Sequence, residues 1–428
     1  MPSSRTPTVI AQATILDDLS AIVGGEHAYP ADESQRFVVD GMTPRAVVEP
    51  GSYEEVAGVM RYASEQGLAA IPLGGGTKRH IGNLPSRYDL ALSLSHIHQI
   101  IEHEPADLTV TCQAGISVAE LDRRLRVHGQ RVPFDVSHGQ QASVGGVLAA
   151  NTNGPSRPAY GALRDFTIGI RMVTGDGRIT RAGGKVVKNV AGFDLCKLYI
   201  GSLGTLGVIV EATFKVMPVA RLERSVLLSL DTPGGACALS AELHRRGLAL
   251  SHVQLSGRGD ATGYSWLLET RLAGSEGAVE RSENEVVGLA PGSHAQPAGS
   301  DVSSTDRFSG EHFDDSSLLC RFSTLPSRLA AFIGAVQRLE SPDILAEPAT
   351  GILRVSWHEI DGATVLERAR QIAASHSATA VVERCPPELK QHIDVFGDPP
   401  PAFQLMRSVK QQFDPKGILS PGRFVGRL

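Results

Sequence analysis

The 428-residue chain predicts an α+β fold divided between at least two domains, and three observations carry that expectation. Residues 44–73 read strand, helix, strand and then run into three glycines, the order of a βαβ unit whose loop lies at the carboxyl edge of a sheet. Residues 167–183 read as two alternating strands closed by Gly175-Asp176-Gly177, a hairpin. Beyond Ala220 the texture changes to alternating runs mixed with helical stripes, the pattern of a separate α+β unit.

The first ordered unit is expected to begin near Asp40, which leaves 1–39 as an N-terminal extension. Within 40–219, PRAVVEP reads as a short strand. GSYEEVAGVMRYASEQG places Val56, Val59, Met60 and Ala63 at helical spacing, and LAAIPL is a second strand. DLALSLSHIHQI and DLTVTCQAG follow as strands. SVAELDRRLRVHG is a helix signed by Ser117 and Glu120, a capping box, with Val118, Leu121 and Leu125 on one face. Residues 220–398 form the second unit, in which PSRLAAFIGAVQRLE and ATVLERARQIAAS are its plainest helices. Residues 288–317 have little apolar content and no periodicity, and are expected to be a flexible insertion. The segment 399–428 opens with a helix broken at Asp414-Pro415 and ends in a proline- and glycine-punctuated tail.

Composition narrows the function classes. With 42% hydrophobic and 20% charged residues and a formal net charge of -5, the chain lacks the basic excess that nucleic-acid binding needs. Its five cysteines stand far apart without a CxxC pair, against a disulfide framework, a zinc ribbon or a protein-held iron-sulfur cluster. Redox chemistry would therefore come from an organic cofactor or a partner. The start of the chain has no uninterrupted apolar core, and nothing approaches the roughly 20 apolar residues of a membrane span, so a cytoplasmic protein is expected.

Three glycine-rich stretches carry the candidate chemistry. In PLGGGTKRHIG, Gly74, Gly75 and Gly76 let backbone N–H groups approach an anion, and Thr77, Lys78 and Arg79 add a hydroxyl and charge. The stretch fits neither GxGxxG nor GxxxxGK[ST], so a tight turn and an anion cradle both stand as readings. ASVGGVLAAN joins Ser143, the pair Gly145 and Gly146, and an apolar helical run, which suits a phosphate at a helix N-terminus. GSLGTLG, residues 201–207, leads into an alternating strand whose edge offers backbone groups to a flat ring; a plain turn into a core strand is the other reading.

PLGGGTKRHIG, ASVGGVLAANTNGP, YGALRDFTIGIRMVTGDGRI, KNVAGFDLCKLYIGSLGTLGVIVEATFKV and DPKGILSPGRF together resemble the vanillyl-alcohol-oxidase/PCMH type of FAD-dependent oxidoreductases. Within that superfamily the chain looks most like the FAD-binding E subunit of bacterial glycolate oxidase. The resemblance covers about 43–218 and the last 20 or so residues. It implies a two-part FAD-binding domain over 40–219, a cap-like α+β domain over 220–398, and a C-terminal segment that returns to the FAD domain. It implies that Pro72, Gly74, Gly75, Gly76 and Thr77 cradle the pyrophosphate, and that Ser143, Gly145 and Gly146 lie along pyrophosphate and flavin. Gly161 and Asp165 follow in the motif order, and Gly204, Gly207, Val208 and Ile209 line the adenine or ring side.

Two departures shape the functional expectation. Relatives with a covalent flavin carry a histidine directly after the glycine pair of the first loop; Gly76 holds that place here, so FAD is expected to be non-covalent and His80 and His138 have no claim to it. Members that oxidise 2-hydroxy acids carry a GHxGDGNxH motif late in the chain, whereas His358, His376 and His392 are scattered, so no metal site is assigned. Abstracting hydride from a hydroxy acid needs a cationic clamp for the carboxylate and a base for the hydroxyl. Lys185, Lys188 and Arg423 are candidate cations, and no catalytic residue is assigned. The leading expectation is an FAD-binding subunit of a glycolate-oxidase-like complex, beside a catalytic flavoprotein subunit and an iron-sulfur subunit, through which it would sit peripheral to the inner face of a membrane. A free-standing FAD-dependent 2-hydroxy-acid dehydrogenase and an FAD-free scaffold subunit are the alternatives.

Overall fold

The computed structural model describes residues 11–31, 36–184, 193–260, 263–290, 296–298, 318–358 and 360–428. The βαβ pattern appears as strand β2 (Ala46–Val48), helix α2 (Tyr53–Gln66) and strand β3 (Ala70–Leu73), with Ser52 capping α2 by accepting from Glu55 N and Gly67 closing it in the left-handed region. The two strands are not neighbours. A further strand β4 (Leu90–Ser93) slots between them, parallel to both, so the first glycine loop leaves the edge strand of the sheet.

The fourth strand of this sheet is β1 (Ala28–Pro30), antiparallel to β2. It follows helix α1 (Gln12–Val23), which buries Ile15, Leu19 and Val23 in the same core as Val56, Val59 and Met60 of α2. The described part of residues 1–39 is therefore part of the first domain, not an extension ahead of it. Its apolar face is as well spaced as that of α2; the interruptions at Gln12, Asp17 and Asp18 are its solvent side.

A second sheet completes this domain. Strands β5 (Ile100–Glu104), β6 (Thr109–Gln113), β7 (Thr167–Val173), β8 (Ile179–Gly183) and β9 (Val208–Lys215) pair antiparallel in the order β5-β6-β9-β7-β8, and β7-β8 is the expected hairpin. Helix α3 (Val118–Arg126) carries the Ser117 cap, whose side chain accepts from Glu120 N, and helix α4 (Val144–Ala150) follows the second glycine loop. One hydrophobic core joins both sheets and also takes in Ile418 and Leu419 from near the C-terminus.

A separate core gathers residues from Val226 to Val395. Its strands are β10 (Leu222–Leu230), β11 (Leu250–Asp260), β12 (Gly263–Gly274), β13 (Gln296–Ala298), β14 (Leu318–Ser323), β15 (Asp343–Glu347), β16 (Ile352–Trp357) and β17 (Thr379–Arg384). They form one antiparallel sheet in the order β13-β10-β12-β11-β15-β16-β14-β17. Helices α5 (Pro233–Arg245), α6 (Glu276–Leu289), α7 (Pro326–Val336) and α8 (Gly362–Ser375) lend their apolar stripes to this core. Of the expected insertion 288–317, residues 288–289 end α6 and Gln296–Ala298 pair with β10; residues 291–295 and 299–317 lie outside the described residues.

After helix α9 (Phe403–Phe413) the chain returns to the first domain. Ala70 N donates to Ile418 O and Ser420 N to Ala70 O, a parallel bridge along the free edge of β3.

Candidate functional site

The first glycine loop starts where β3 ends, and the second closes against it. A Cβ built on Gly75 would lie 1.6 Å from Gln141 O, and one on Gly74 would lie 1.8 Å from Ser143 Oγ. Any side chain at either position forces the loops apart. Gly76 has φ +73° and Gly82 φ +99°, a left-handed course that glycine follows without strain. Among the described residues the N–H groups of Gly74, Gly75, Gly76 and Thr77 meet no protein acceptor, four donors in succession on one loop.

These donors face a cavity lined by Pro72, Gly74, Gly75, Gly76, Thr77, Ser143, Gly145, Gly146, Gly204, Gly207 and Ile209. Its charged lining residues are Lys78, Arg79 and Arg423, with no carboxylate among them. Backbone N–H groups without a protein acceptor, in a cavity whose lining carries no carboxylate, suit a pyrophosphate, so the residues present fit the cofactor they were expected to hold.

Three of the expected contacts differ from the first loop. Gly145 N donates to Ala114 O and Gly146 N to Ser143 Oγ, so Ser143, Gly145 and Gly146 line the cavity at the N-terminus of α4 with these two donors already engaged. Gly161 and Asp165 line neither of the two cavities at the site; the Asp165 carboxylate accepts from Ala162 N and starts a short helical turn. Val208 is fully buried in the sheet, beside the cavity but not on its wall.

Arg423 is no clamp for a substrate. Its buried guanidinium donates to Arg79 O at 2.6 Å and to Ile81 O, and its own carbonyl accepts from Asn83 N. It pins the far end of the first loop to the C-terminal segment. Arg79 is likewise engaged, donating to Arg36 O and Val38 O. Replacing Arg423 by methionine leaves two carbonyls without their donor, at about 1–3 kcal/mol each; a lower melting temperature together with weaker FAD binding is the expected result, checked by a thermal melt with and without FAD. Lys185 and Lys188 lie outside the described residues.

A second cavity, of about 330 Å³, lies between the first domain and the sheet of the second, and Lys78 lines both cavities. Its floor is polar: His252 and Gln254 from β11, Arg271 from β12, Glu347, Arg354 from β16, and Arg321, Glu383 and Arg384 from β14 and β17. Arg354 binds Glu347 and Glu383, each at 3.1 Å, and Arg321 binds Glu383 at 2.9 Å. Burial opposes the charge on Glu383, but Arg354, Arg321 and Lys78 outweigh it and hold its carboxyl at about 2. Burial, aided by Arg271, pushes the His252 ring down to about 3; burial and the cations Arg384, Lys78 and Lys390 do the same to His80.

All three groups have folded pKa values below their unfolded ones, so each contributes stability that is complete above the unfolded value and lost as pH falls. The histidines should erode stability from about pH 6.5 downward, and Glu383 from about pH 4.5. Melting temperatures across pH 4–7 should fall with acidity, and a His80→Gln variant should flatten the upper part of that curve.

The late histidines do not converge. His358 faces Asp343 at 3.5 Å, His376 bonds Ile372 O behind α8, and His392 ends a short helix. Among the described residues no group of three or more His, Cys, Asp or Glu could hold a metal ion. No described helix is long and apolar enough to cross a membrane.

Sequence comparison bears on the first cavity directly: residues 44–183, the stretch that carries the first two glycine loops, match the model of the FAD binding domain. The chain carries an FAD binding domain. Its cofactor is FAD, and residues 398–424 match the C-terminal domain of FAD linked oxidases. Glycolate oxidase subunit GlcD of Bacillus subtilis is 35% identical over 43% of this FAD-binding chain and 39% of its own length. Glycolate oxidase subunit GlcE of Escherichia coli is 34% identical over 44% of this chain and 51% of its own. A D-2-hydroxyglutarate dehydrogenase of Xanthomonas citri is 35% identical over 48% of this chain and 43% of its own. The chain thus spans about half or less of the length of these relatives. Alkyldihydroxyacetonephosphate synthase superposes with TM-score 0.76 over 98% of this chain and 86% of that one, at 15% identity. p-Cresol methylhydroxylase superposes with TM-score 0.74 over 97% of this chain and 98% of its own, at 14% identity. The FAD-binding chain has the PCMH-type fold, with both sheets of the first domain and the cap sheet in place.

Proline- and glycine-rich spacing found the first loop, but the residues that hold it in place escaped sequence reading. Asn83 is fully buried, bonds Phe424 O and accepts from Val395 N. Lys390, almost wholly buried, donates to Asp40 and to His80 O. Neither belongs to a motif. His252 and Gln254 did leave a signal: in SHVQLSG both polar residues occupy the alternate positions that a strand turns to one face.

Proposed function

We propose that this chain is the FAD-binding subunit of a glycolate-oxidase-like complex and takes part in oxidising a small 2-hydroxy acid to the 2-oxo acid. The observation that carries the reading is a pair of adjacent cavities: one walled by backbone donors without protein acceptors, the other a larger polar chamber under the cap sheet, with Lys78, Ala150 and Leu203 on the wall of both. Gly74 to Thr77 would hold the pyrophosphate, and the ring side would run along Gly204, Gly207 and Ile209 toward the chamber. Bound FAD supplies the two-electron acceptor. The chain would supply a cation-rich cavity in which a small carboxylate is bound and oriented.

The similarity to glycolate oxidase subunits GlcD and GlcE supports a multi-subunit setting. An iron-sulfur partner, peripheral attachment to a membrane through partners, and a cytoplasmic site belong to the same proposal. FAD is held without a covalent bond, since Gly76 stands where a linking histidine would; acid precipitation of the loaded protein should release all of the flavin.

The deciding experiment is a flavin spectrum of the purified chain after FAD addition, followed by anaerobic addition of glycolate, D-lactate or D-2-hydroxyglutarate. Flavin retention with bleaching by one of these acids, in the chain alone or with partner subunits restored, is the expected outcome. Bleaching in the chain alone would favour a free-standing dehydrogenase. Absence of flavin uptake would sink the cofactor role and leave a scaffold.

A further inference from the structure

We propose that His252 and Arg271, cross-strand neighbours on the floor of the cap chamber, are the base and the carboxylate clamp for the 2-hydroxy acid. The inference rests on the function proposed above and names the residues that reading lacks. His252 on β11 pairs directly with Arg271 on β12. Residues so paired share one face of the sheet, with Cβ atoms about 4.5–5.5 Å apart, and both line the chamber.

The floor at this point is built for a ligand. His252 is 6% exposed, and its Nε2 meets no hydrogen-bond partner; Gln254, two residues along the same face and 2% exposed, has an unmatched Oε1. Buried polar atoms without partners are costly and rare. Two of them side by side on a cavity wall mark a contact surface for a small polar molecule. Arg271 is the complementary charge: its nearest carboxylate, on Glu269, is 3.9 Å away, and its side chain is partly open.

The chamber's carboxylates are already bonded. Both oxygens of Glu383 are taken by Arg321 and Arg354, and Glu347 is bound by Arg354 and Thr350. Asp135 accepts from Ser156 N. His80 sits within the field of Arg384, Lys78 and Lys390. The charged groups that face His252 are Arg271 and Glu269 from β12, Glu347 from β15, Arg354 from β16, and Asp135 and Arg157 from the first domain; helix α5 covers the opposite face of the sheet through Ala236, Ser240 and Leu243.

The chemistry balances. The substrate's O–H and Cα–H bonds break and a C=O bond forms; the proton goes to His252 Nε2, and the hydrogen on Cα leaves with its electron pair to FAD, the oxidant. Without substrate, burial and Arg271 keep His252 neutral, an acceptor. A substrate carboxylate on Arg271 cancels that positive field and raises the basicity of the imidazole as the hydroxyl arrives.

The test uses the full chain loaded with FAD and oxalate, an unreactive carboxylate, as probe. Calorimetry in buffers of different ionisation heats should find proton uptake on oxalate binding at pH 6 in the wild type, none in His252→Asn, and little or no oxalate binding in Arg271→Met. His252→Asn should keep its flavin content while slowing flavin reduction by the active hydroxy acid about 100-fold or more, the usual scale of general-base loss. Oxalate that fails to bind the wild type, unchanged proton uptake in His252→Asn, or a reduction rate within about threefold of wild type would overturn the proposal. If no hydroxy acid reduces the wild-type flavin, the proposed function fails, and proton uptake alone still decides the role of His252.

Discussion

A Gly75→Val variant is expected to emerge from purification nearly colourless. The Cβ of any residue at 75 would meet Gln141 O at 1.6 Å, a backbone atom that cannot swing aside as a side chain could. The two loops must therefore separate, and the free N–H groups of Gly74 to Thr77 move with them. Overpacking costs about 1–3 kcal/mol in well-packed settings, which corresponds to a roughly 5- to 150-fold loss of FAD affinity, and a backbone collision belongs at the upper end. The flavin-to-protein absorbance ratio after gel filtration measures it, with Gly25→Ala as control, since a Cβ there meets nothing within 4 Å. Undiminished flavin in Gly75→Val would remove the pyrophosphate assignment from this loop.

The second large effect is expected at Lys390. Its side chain is 1% exposed and its ammonium donates to Asp40 at 2.7 Å and to His80 O at 2.6 Å, joining the segment after the cap sheet to the stretch ahead of β2 and to the first loop. Burial lowers its pKa, and Asp40 opposes that shift. Removing one partner of a buried pair strands the other charge, at about 3–5 kcal/mol. Lys390→Met should therefore lower the unfolding free energy by that order. The double variant Lys390→Met with Asp40→Asn should recover much of it, because neither charge is then buried alone. Equal destabilisation of single and double variants in chemical denaturation would show that the pair is not coupled.

Much of the first domain was legible because its signals are local. The Ser117 cap, the apolar stripe of α2 and the hairpin at Gly175-Asp176-Gly177 each need only neighbouring residues, and each is found, although Glu120 bonds Arg123 and Arg124 rather than closing a capping box. Gly74 and Gly75 were legible for the wrong reason: their lack of Cβ serves contact with Gln141 and Ser143 as much as approach to an anion. Helix α1 was overlooked because its three buried residues are diluted by polar ones, and only the presence of α2 beside it shows where they go. Arg423 was read only as a candidate cation, and Lys390 was not read at all. Their partners are backbone carbonyls and a carboxylate more than 300 positions away, and no spacing rule reaches that far. The cap floor lies between these cases: alternation in β11 marked the facing residues, but only the sheet order brings Arg271 beside His252.

The bridge between Ala70 and Leu419 also dictates when the cofactor site can exist during synthesis. The cap sheet closes on residues 222–384, all translated before the segment that completes the first domain. Until residues 418–423 clear the ribosome, β3 has an unpaired edge and the first loop lacks the guanidinium that holds its far end. A nascent chain would thus finish its later domain before its earlier one, and flavin loading would wait for residues 418–423.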